Sequence, residues 1–343
     1  MSSVLMKSIS GIRGIVGDTL TPELILKVGS AFAKFIGKGT VVIGRDSRPT
    51  GEAIVNGIKS ILLLTGCDVV DIGIVPTPTV QVMVEELEAD GGIVISASHN
   101  PIEWNAFKLI NKTGSFLNQK EIDKFFSFMD DEPRLVKWDK TGKSDIKYDA
   151  DDVHINKILK VINKNKIKKS SFTVVIDSVN GAGSEITQKF LSELNCKIIP
   201  INCDMDKPFP RGAEPLPANL GDLSKYVLKY KADIGFAQDP DADRLAIVDD
   251  RGKPIGEEYT LVLVAEHLLA KEEGRVVTNL STTKALDDVC KKYGSQVKRT
   301  MVGEINVVDE MRKKETRIGG EGNGGVISPE VHLGRDSLVG IGY

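Results

Sequence analysis

One strand–loop–helix–strand unit occurs three times along this chain. Residues 40–73, TVVIGRDSRPTGEAIVNGIKSILLLTGCDVVDIG, run from a β-branched stretch through a glycine-containing loop into a helical rhythm (Ile54, Ile58, Ile61, Leu62) and a second β-rich stretch. Residues 173–202 repeat that order, and residues 275–303 repeat it again. The period is longer than that of any solenoid, so the copies read as repeated domains and not as stacked repeats. Alternating strand and helix predicts α/β layers: three tandem copies of a related α/β domain, each a mixed sheet between helices.

Each copy is followed by a further strand that ends in a polar loop. These are GIVISASHNP after the first, ADIGFAQDPDADRLAIVDD after the second and TRIGGEGNGGVISPE after the third. Ligands of open α/β sheets gather at the carboxyl ends of strands, so the three loops predict one composite site in a central cleft. Polar, turn-rich stretches near 147–152 and 249–256 place the domains at 1–150, 151–252 and 253–343.

The loops differ in chemistry. In the first, a buried strand (Ile93, Val94, Ile95) breaks into Ser96, Ser98, His99 and Asn100; either serine is a candidate nucleophile. In the second, Asp239, Asp241 and Asp243 alternate, which on an extended segment puts three carboxylates on one side. So many like charges need a cation, and hard oxygen donors favour Mg²⁺ or Ca²⁺. An EF-hand is the rival pattern, but Arg244 stands where its glycine belongs. Arg244 is placed to pair with a carboxylate or to clamp a phosphate. The third loop matches a dinucleotide fingerprint at Gly320, Gly322 and Gly325, yet no helical rhythm follows it. It reads instead as a flexible loop presenting Glu321 and Asn323 to sugar hydroxyls. Arg13, Arg45 and Arg48 lie in glycine-rich or polar loops as anion contacts or surface pairs. His154, His267 and His332 show no spacing for a metal or triad, and His267 reads as packing within an apolar helix.

Together the loops offer a hydroxyl nucleophile, a hard-metal site, a sugar reader and arginines, the set used in phosphoryl transfer. Other partners are disfavoured. A net charge of −3 gives no footprint for nucleic acid or an anionic membrane, and the Lys-rich stretch 160–169 reads as a helix end and linker. The first residues lack a signal-peptide core and no apolar run approaches a membrane span, which predicts a cytoplasmic protein. Cys67, Cys196, Cys203 and Cys290 then read as free thiols.

ISASHNP, DPDADR and GEGNGG, in that order, resemble the phosphoserine, metal and sugar loops of the α-D-phosphohexomutase superfamily, and the resemblance spans essentially the whole chain. It implies that Ser98 is the phosphorylated serine, followed by His99, and that Asp239, Asp241 and Asp243 hold Mg²⁺ together with the Ser98 phosphate. It further implies that Arg13 and Lys108 assist proton transfer. Glu321, Asn323, Gly320, Gly303 and Arg244 would contact the substrate. The implied reaction interconverts hexose 6- and 1-phosphates through a hexose 1,6-bisphosphate, in a monomer or homodimer.

Trp104 and Ala106 stand where many members have Tyr and Gly, and Gly322-Asn323 where many glucose and mannose enzymes have Glu-Ser. With SASHNP, this leans toward phosphoglucosamine mutases over phosphoglucomutases or phosphomannomutases. Members carry a fourth domain that grips the distal phosphate, and here the chain reaches GRDSLVGIGY in what reads as the first turns of an uncapped amphipathic helix. A truncated sugar-phosphate binder with little turnover is therefore the reading from a different class.

Overall fold

The computed structural model describes residues 5–343 and divides into two compact units, Met1–Val153 and His154–Tyr343. In the first, the elements are β1 (Met6–Ser8), β2 (Gly11–Ile15), α1 (Pro22–Ile36), β3 (Thr40–Arg45), α2 (Gly51–Leu64), β4 (Asp68–Ile74), α3 (Thr77–Glu86), β5 (Gly91–Ile95), β6 (Trp104–Asn111), α4 (Gln119–Ser127) and β7 (Ser144–Ile146). They build one mixed sheet in the order β1-β2-β6-β5-β3-β4-β7. Strand periodicity explains why the apolar runs are continuous. Val41, Ile43, Ile93 and Ile95 pack toward α1 and α2, while their neighbours Val42 and Val94 pack toward α3.

The second unit contains α5 (Ala150–Val161), which begins in the first, then α6 (Lys164–Ser170), β8 (Thr173–Asp177), α7 (Gly183–Glu193), β9 (Lys197–Ile201), α8 (Gly221–Tyr230), β10 (Ile234–Gln238) and β11 (Leu245–Val248). After these come α9 (Glu258–Leu269), β12 (Arg275–Asn279), α10 (Ala285–Lys292), β13 (Gln296–Thr300), α11 (Glu304–Lys313), β14 (Ile318–Glu321), β15 (Gly325–Ile327) and α12 (Ser337–Gly342). The Lys-rich stretch is thus the end of α5 and a second short helix, α6, where a linker was expected.

The repetition extends to sheet order. The core of the first sheet runs β4-β3-β5-β6, the second sheet β9-β8-β10-β11 and the third β13-β12-β14-β15. In each the first three strands are parallel and the fourth returns antiparallel. The three α/β domains are therefore copies in topology as well as in sequence rhythm. Crossovers leave the first strand of each copy to opposite sides, so the switch point lies between its first and third strands. All three polar loops follow the third strand, beside that point.

The second and third copies share apolar packing: Ile155, Ile158, Ile186 and Phe190 cluster with Leu261, Ala265, Leu268, Val326 and Leu338. Here two expectations are corrected. The terminal segment is a nearly fully buried helix and not an amphipathic one, and Asp336 caps it by accepting from the Leu338 and Val339 amides. His267 is exposed and bonded to Lys271, so it does not serve as packing.

Candidate active site

In the first unit, the switch point explains how the Ser98 loop is held. The loop after β3 carries Asp46 and Arg48, and both reach across to the loop after β5. Arg48 is fully buried; its guanidinium pairs with Asp46 and donates to the carbonyls of Ser98 at 2.9 Å and Asn100 at 2.6 Å. Arg48 is thus an internal clamp, neither an anion contact nor a surface pair. The same contacts separate the two serines. Ser96 is fully buried, its hydroxyl donates to Asp46 at 2.6 Å, and its oxygen accepts the Ser98 amide at 3.0 Å. Ser96 is a strut. Ser98 sits at φ +49°, a left-handed conformation that costs a non-glycine residue about 1–2 kcal/mol, so the surrounding contacts must impose it.

Arg13 pairs with Ala106 across β2 and β6, and Lys108 lies two residues further along the same face of β6. The sheet therefore brings Arg13 and Lys108 to one face beside the Ser98 loop. Arg13 donates to Asn100 at 2.8 Å, and buried Lys108 lies 3.4 Å from the Thr77 hydroxyl and 5.8 Å from the centre of the Phe116 ring. His99 is half-buried in the turn.

In the second unit, Asp239, Asp241 and Asp243 are all fully buried, with carboxylate oxygens within 4.8 Å of one another. The expected extended segment is not there. Residues 239–244 form a tight turn between β10 and β11, and Ala242 at φ +51° reverses the chain. The loop after β8 supports that turn from below: the Ala182 amide donates to the Pro240 carbonyl at 2.8 Å, and Val179, a β-branched residue, is itself held at φ +50°. Arg244 takes the carboxylate role, donating to Glu214 at 2.7 Å.

The sugar-loop candidates lie in the β14–β15 hairpin, which confirms that GEGNGG opens no helix. A Cβ at Gly320 would come within 2.2 Å of the Gly325 carbonyl, so the hairpin admits only glycine there. Glu321 is 2% exposed. One of its oxygens accepts from Asn279 at 2.7 Å and from the Gly303 amide at 2.9 Å; the other accepts from Arg335 at 2.8 Å. A carboxylate has about four lone-pair positions, so these three bonds leave Glu321 room to accept one more. Burial pushes its carboxyl up, but Arg335, the Gly303 amide, Asn279 and Arg244 outweigh burial and hold it below the ordinary range. Asn323 is half-buried and accepts from the Gly325 amide at 3.3 Å.

Three groups found here went unread in the sequence. Arg335 donates to Asp243 at 2.7 Å, to Glu321 at 2.8 Å and to Glu304 at 2.9 Å. His154 and His332, whose spacing suggests neither a metal nor a triad, both bond the buried carboxylate of Asp336, at 2.7 and 3.2 Å. Burial raises Asp336, but the two histidines overcome it and hold the carboxyl far below the usual range. Asp46 completes the set. Around the aspartate turn, five buried carboxylates (Asp239, Asp241, Asp243, Glu304 and Glu321) face the guanidiniums of Arg335 and Arg244. The excess of negative charge, carried by hard oxygen donors, fits a divalent cation such as Mg²⁺.

No helix among the described residues is long and apolar enough to cross a membrane. Models of phosphoglucomutase/phosphomannomutase alpha/beta/alpha domains I, II and III match residues 6–133, 152–252 and 256–341. A protein of Thermococcus kodakarensis named phosphoglucomutase/phosphomannomutase is 40% identical, over 96% of this chain and 74% of its own length. One of Methanopyrus kandleri named "Probable phosphoglucosamine mutase" is 38% identical, over 94% and 72%. The crystal structure of a phosphoglucomutase/phosphomannomutase family protein from Burkholderia thailandensis superposes with a TM-score of 0.83, at 26% identity, covering 98% of this chain and 76% of that one. With all three domain models matched in order and in register with the three copies of the sheet, the chain belongs to the phosphoglucomutase/phosphomannomutase family of phosphohexomutases, isomerases that act as intramolecular phosphotransferases.

Proposed function

We propose that the chain is a cytoplasmic phosphoglucosamine mutase that uses Ser98 as its phosphorylated residue and Asp239, Asp241 and Asp243 as ligands of Mg²⁺. The observation that carries this reading is the buried aspartate triad, at the same position in its repeat as the Ser98 turn occupies in the first. Relatives named "Probable phosphoglucosamine mutase" at 38–40% identity support the sugar.

In the reaction, the phosphoryl group on Ser98 Oγ passes to the free hydroxyl of a hexosamine phosphate. The bond from phosphorus to Ser98 breaks as the bond to the sugar oxygen forms, and the proton given up by the sugar hydroxyl replaces the phosphoryl group on Ser98 Oγ, which gives the 1,6-bisphosphate. The other phosphate of the bisphosphate then returns to Ser98. Mg²⁺ at the triad would supply charge neutralisation for the transferring group. The chain's own residues do the rest. Arg48 fixes the carbonyl side of the Ser98 turn, buried Lys108 lies beside it against the Thr77 hydroxyl, and Asn100 orients Arg13. Glu321 accepts from a sugar hydroxyl or ammonium through its remaining lone pair, and a 2-ammonium gives the stronger, charge-assisted bond.

Phosphopeptide mapping of the purified chain tests the nucleophile: phosphate is expected on Ser98, and phosphate on Ser96 in turning-over protein overturns the assignment. Asp241→Asn should weaken Mg²⁺ binding and lower turnover by several decades, each about 1.4 kcal/mol. Parent-like binding and turnover would remove the metal assignment. The Thermococcus protein's name favours glucose or mannose phosphates as a second reading. Comparing kcat/KM for glucosamine, glucose and mannose phosphates decides, and a clear preference for mannose phosphate sinks the glucosamine reading.

A further inference from the structure

We infer that Arg335 is a positioning residue of this site: one guanidinium that holds Glu321 in place for the sugar and tempers the charge of Asp243 toward the metal. The inference rests on the functional reading above and extends it to a residue outside all three loops.

The geometry is specific to arginine. Nη2 donates to Asp243 Oδ2, Nη1 to Glu321 Oε2 and Nε to Glu304 Oε2, so three nitrogens of one planar group serve three carboxylates. A lysine ammonium is a point charge and cannot hold that fork. The guanidinium is also kept from moving. Asp336, the next residue, donates its amide to the Val326 carbonyl and is gripped by His154 and His332. At Gly325 a Cβ would lie 2.2 Å from Arg335 Cδ, so the missing side chain leaves the channel through which the arginine stem passes. A second link joins the same two loops, because the Leu245 amide, just after the aspartate turn, donates to the Gly324 carbonyl at 3.0 Å. The aspartate turn and the sugar hairpin are thus tied by backbone and by Arg335. Arg244 lies near both loops as well, 3.8 Å from Asp243, but only Arg335 among the described residues is bonded to Asp243 and Glu321 together.

Two opposite consequences follow from removing that charge. A cation bonded to Asp243 competes electrostatically with a metal at the triad, so its loss favours the metal. Glu321 loses the donor that aims Oε2, and an anionic sugar phosphate loses a nearby positive charge, so the sugar is bound less well. General loosening of the structure would instead weaken both.

The test uses the full chain with Arg335→Met and Arg335→Lys. Mn²⁺ binding is read by calorimetry and by electron paramagnetic resonance; glucosamine 6-phosphate KM and kcat are read by a coupled assay. Arg335→Met should bind Mn²⁺ severalfold tighter and raise KM at least tenfold, with a smaller change in kcat. Arg335→Lys, which keeps the charge without the fork, should keep Mn²⁺ affinity within about twofold and raise KM less. It also serves if Arg335→Met does not fold. Parallel weakening of metal and substrate, or no change in either, overturns the inference. If the parent chain itself binds no Mn²⁺, or loses none of that binding in Asp241→Asn, the metal reading fails and not the role of Arg335 alone.

Discussion

Replacing Arg48 by methionine tests whether the Ser98 turn is held by a buried ion pair. The substitution keeps much of the side chain's length and volume and removes the charge. Asp46, fully buried, is left as an uncompensated carboxylate, and such a loss costs about 3–5 kcal/mol. The Ser98 and Asn100 carbonyls also lose their donor, at about 1 kcal/mol or more each, partly offset by apolar packing of the methionine. A net loss of about 4 kcal/mol is a large share of the roughly 5–15 kcal/mol that stabilises a domain. Both tryptophans, Trp104 and Trp138, lie in Met1–Val153, so tryptophan emission during urea unfolding reports on that unit alone. Trp138 is 89% exposed already, which leaves half-buried Trp104, at the end of the Ser98 loop, as the responsive probe. With a slope of about 2 kcal/mol per molar urea, the midpoint should fall by about 2 M. The double variant Asp46→Asn/Arg48→Met removes the stranded charge and should recover part of that loss. A fall below about 0.5 M for Arg48→Met, or a double variant no better than the single, would refute the buried-pair argument.

Gly324→Ala and Gly256→Ala share a φ of +88° but differ in space: a Cβ at Gly324 lies 2.5 Å from the Leu245 carbonyl, while Gly256 has nothing nearer than 3.8 Å. Gly256→Ala should cost about 1 kcal/mol and Gly324→Ala clearly more, with weakened Mn²⁺ binding as the aspartate turn shifts; equal melting temperatures would contradict this. Glu321 titrates below its ordinary 4.5 in the folded state, so its contribution to stability is complete above that pH and drains away as pH falls through the lowered value. The stability gap between the parent and Glu321→Gln, read by hydrogen exchange in β14, should therefore narrow from pH 6 toward pH 4, and a gap that widens would reverse the sign.

What could be read without coordinates was whatever is local. The three strand–loop–helix–strand copies lie within about thirty residues each; their rhythm marks two strands of each sheet and the apolar run after each copy a third, while the antiparallel fourth strand carries no such signal. The aspartate triad is local too, but its alternation reads as an extended segment, and nothing in DPDADR announces that Ala242 takes a positive φ. Arg335 and Asp336 were not visible. Each has near partners, His332 for Asp336 and Glu321 for Arg335, but the contacts that fix their roles lie 92 residues away at Asp243 and 182 residues away at His154, and no spacing rule reaches that far. The strut role of Ser96 likewise depends on Asp46, which sits 50 residues before it and touches it only because β3 and β5 are neighbours.

The apolar cluster shared by the second and third copies sets how this chain can be taken apart. Phe190 and Ile158 from one copy lie among Leu261, Leu268 and Leu338 from the other. A cut between them would open two oily faces, neither of which has a spare polar coat to replace the lost neighbour. As an assembly kit, then, the molecule has three topological copies, of which the second and third come as one part. Recombination with a relative would have to move the aspartate turn and the β14–β15 hairpin as one cassette, and whatever chemistry the two loops carry would be inherited together.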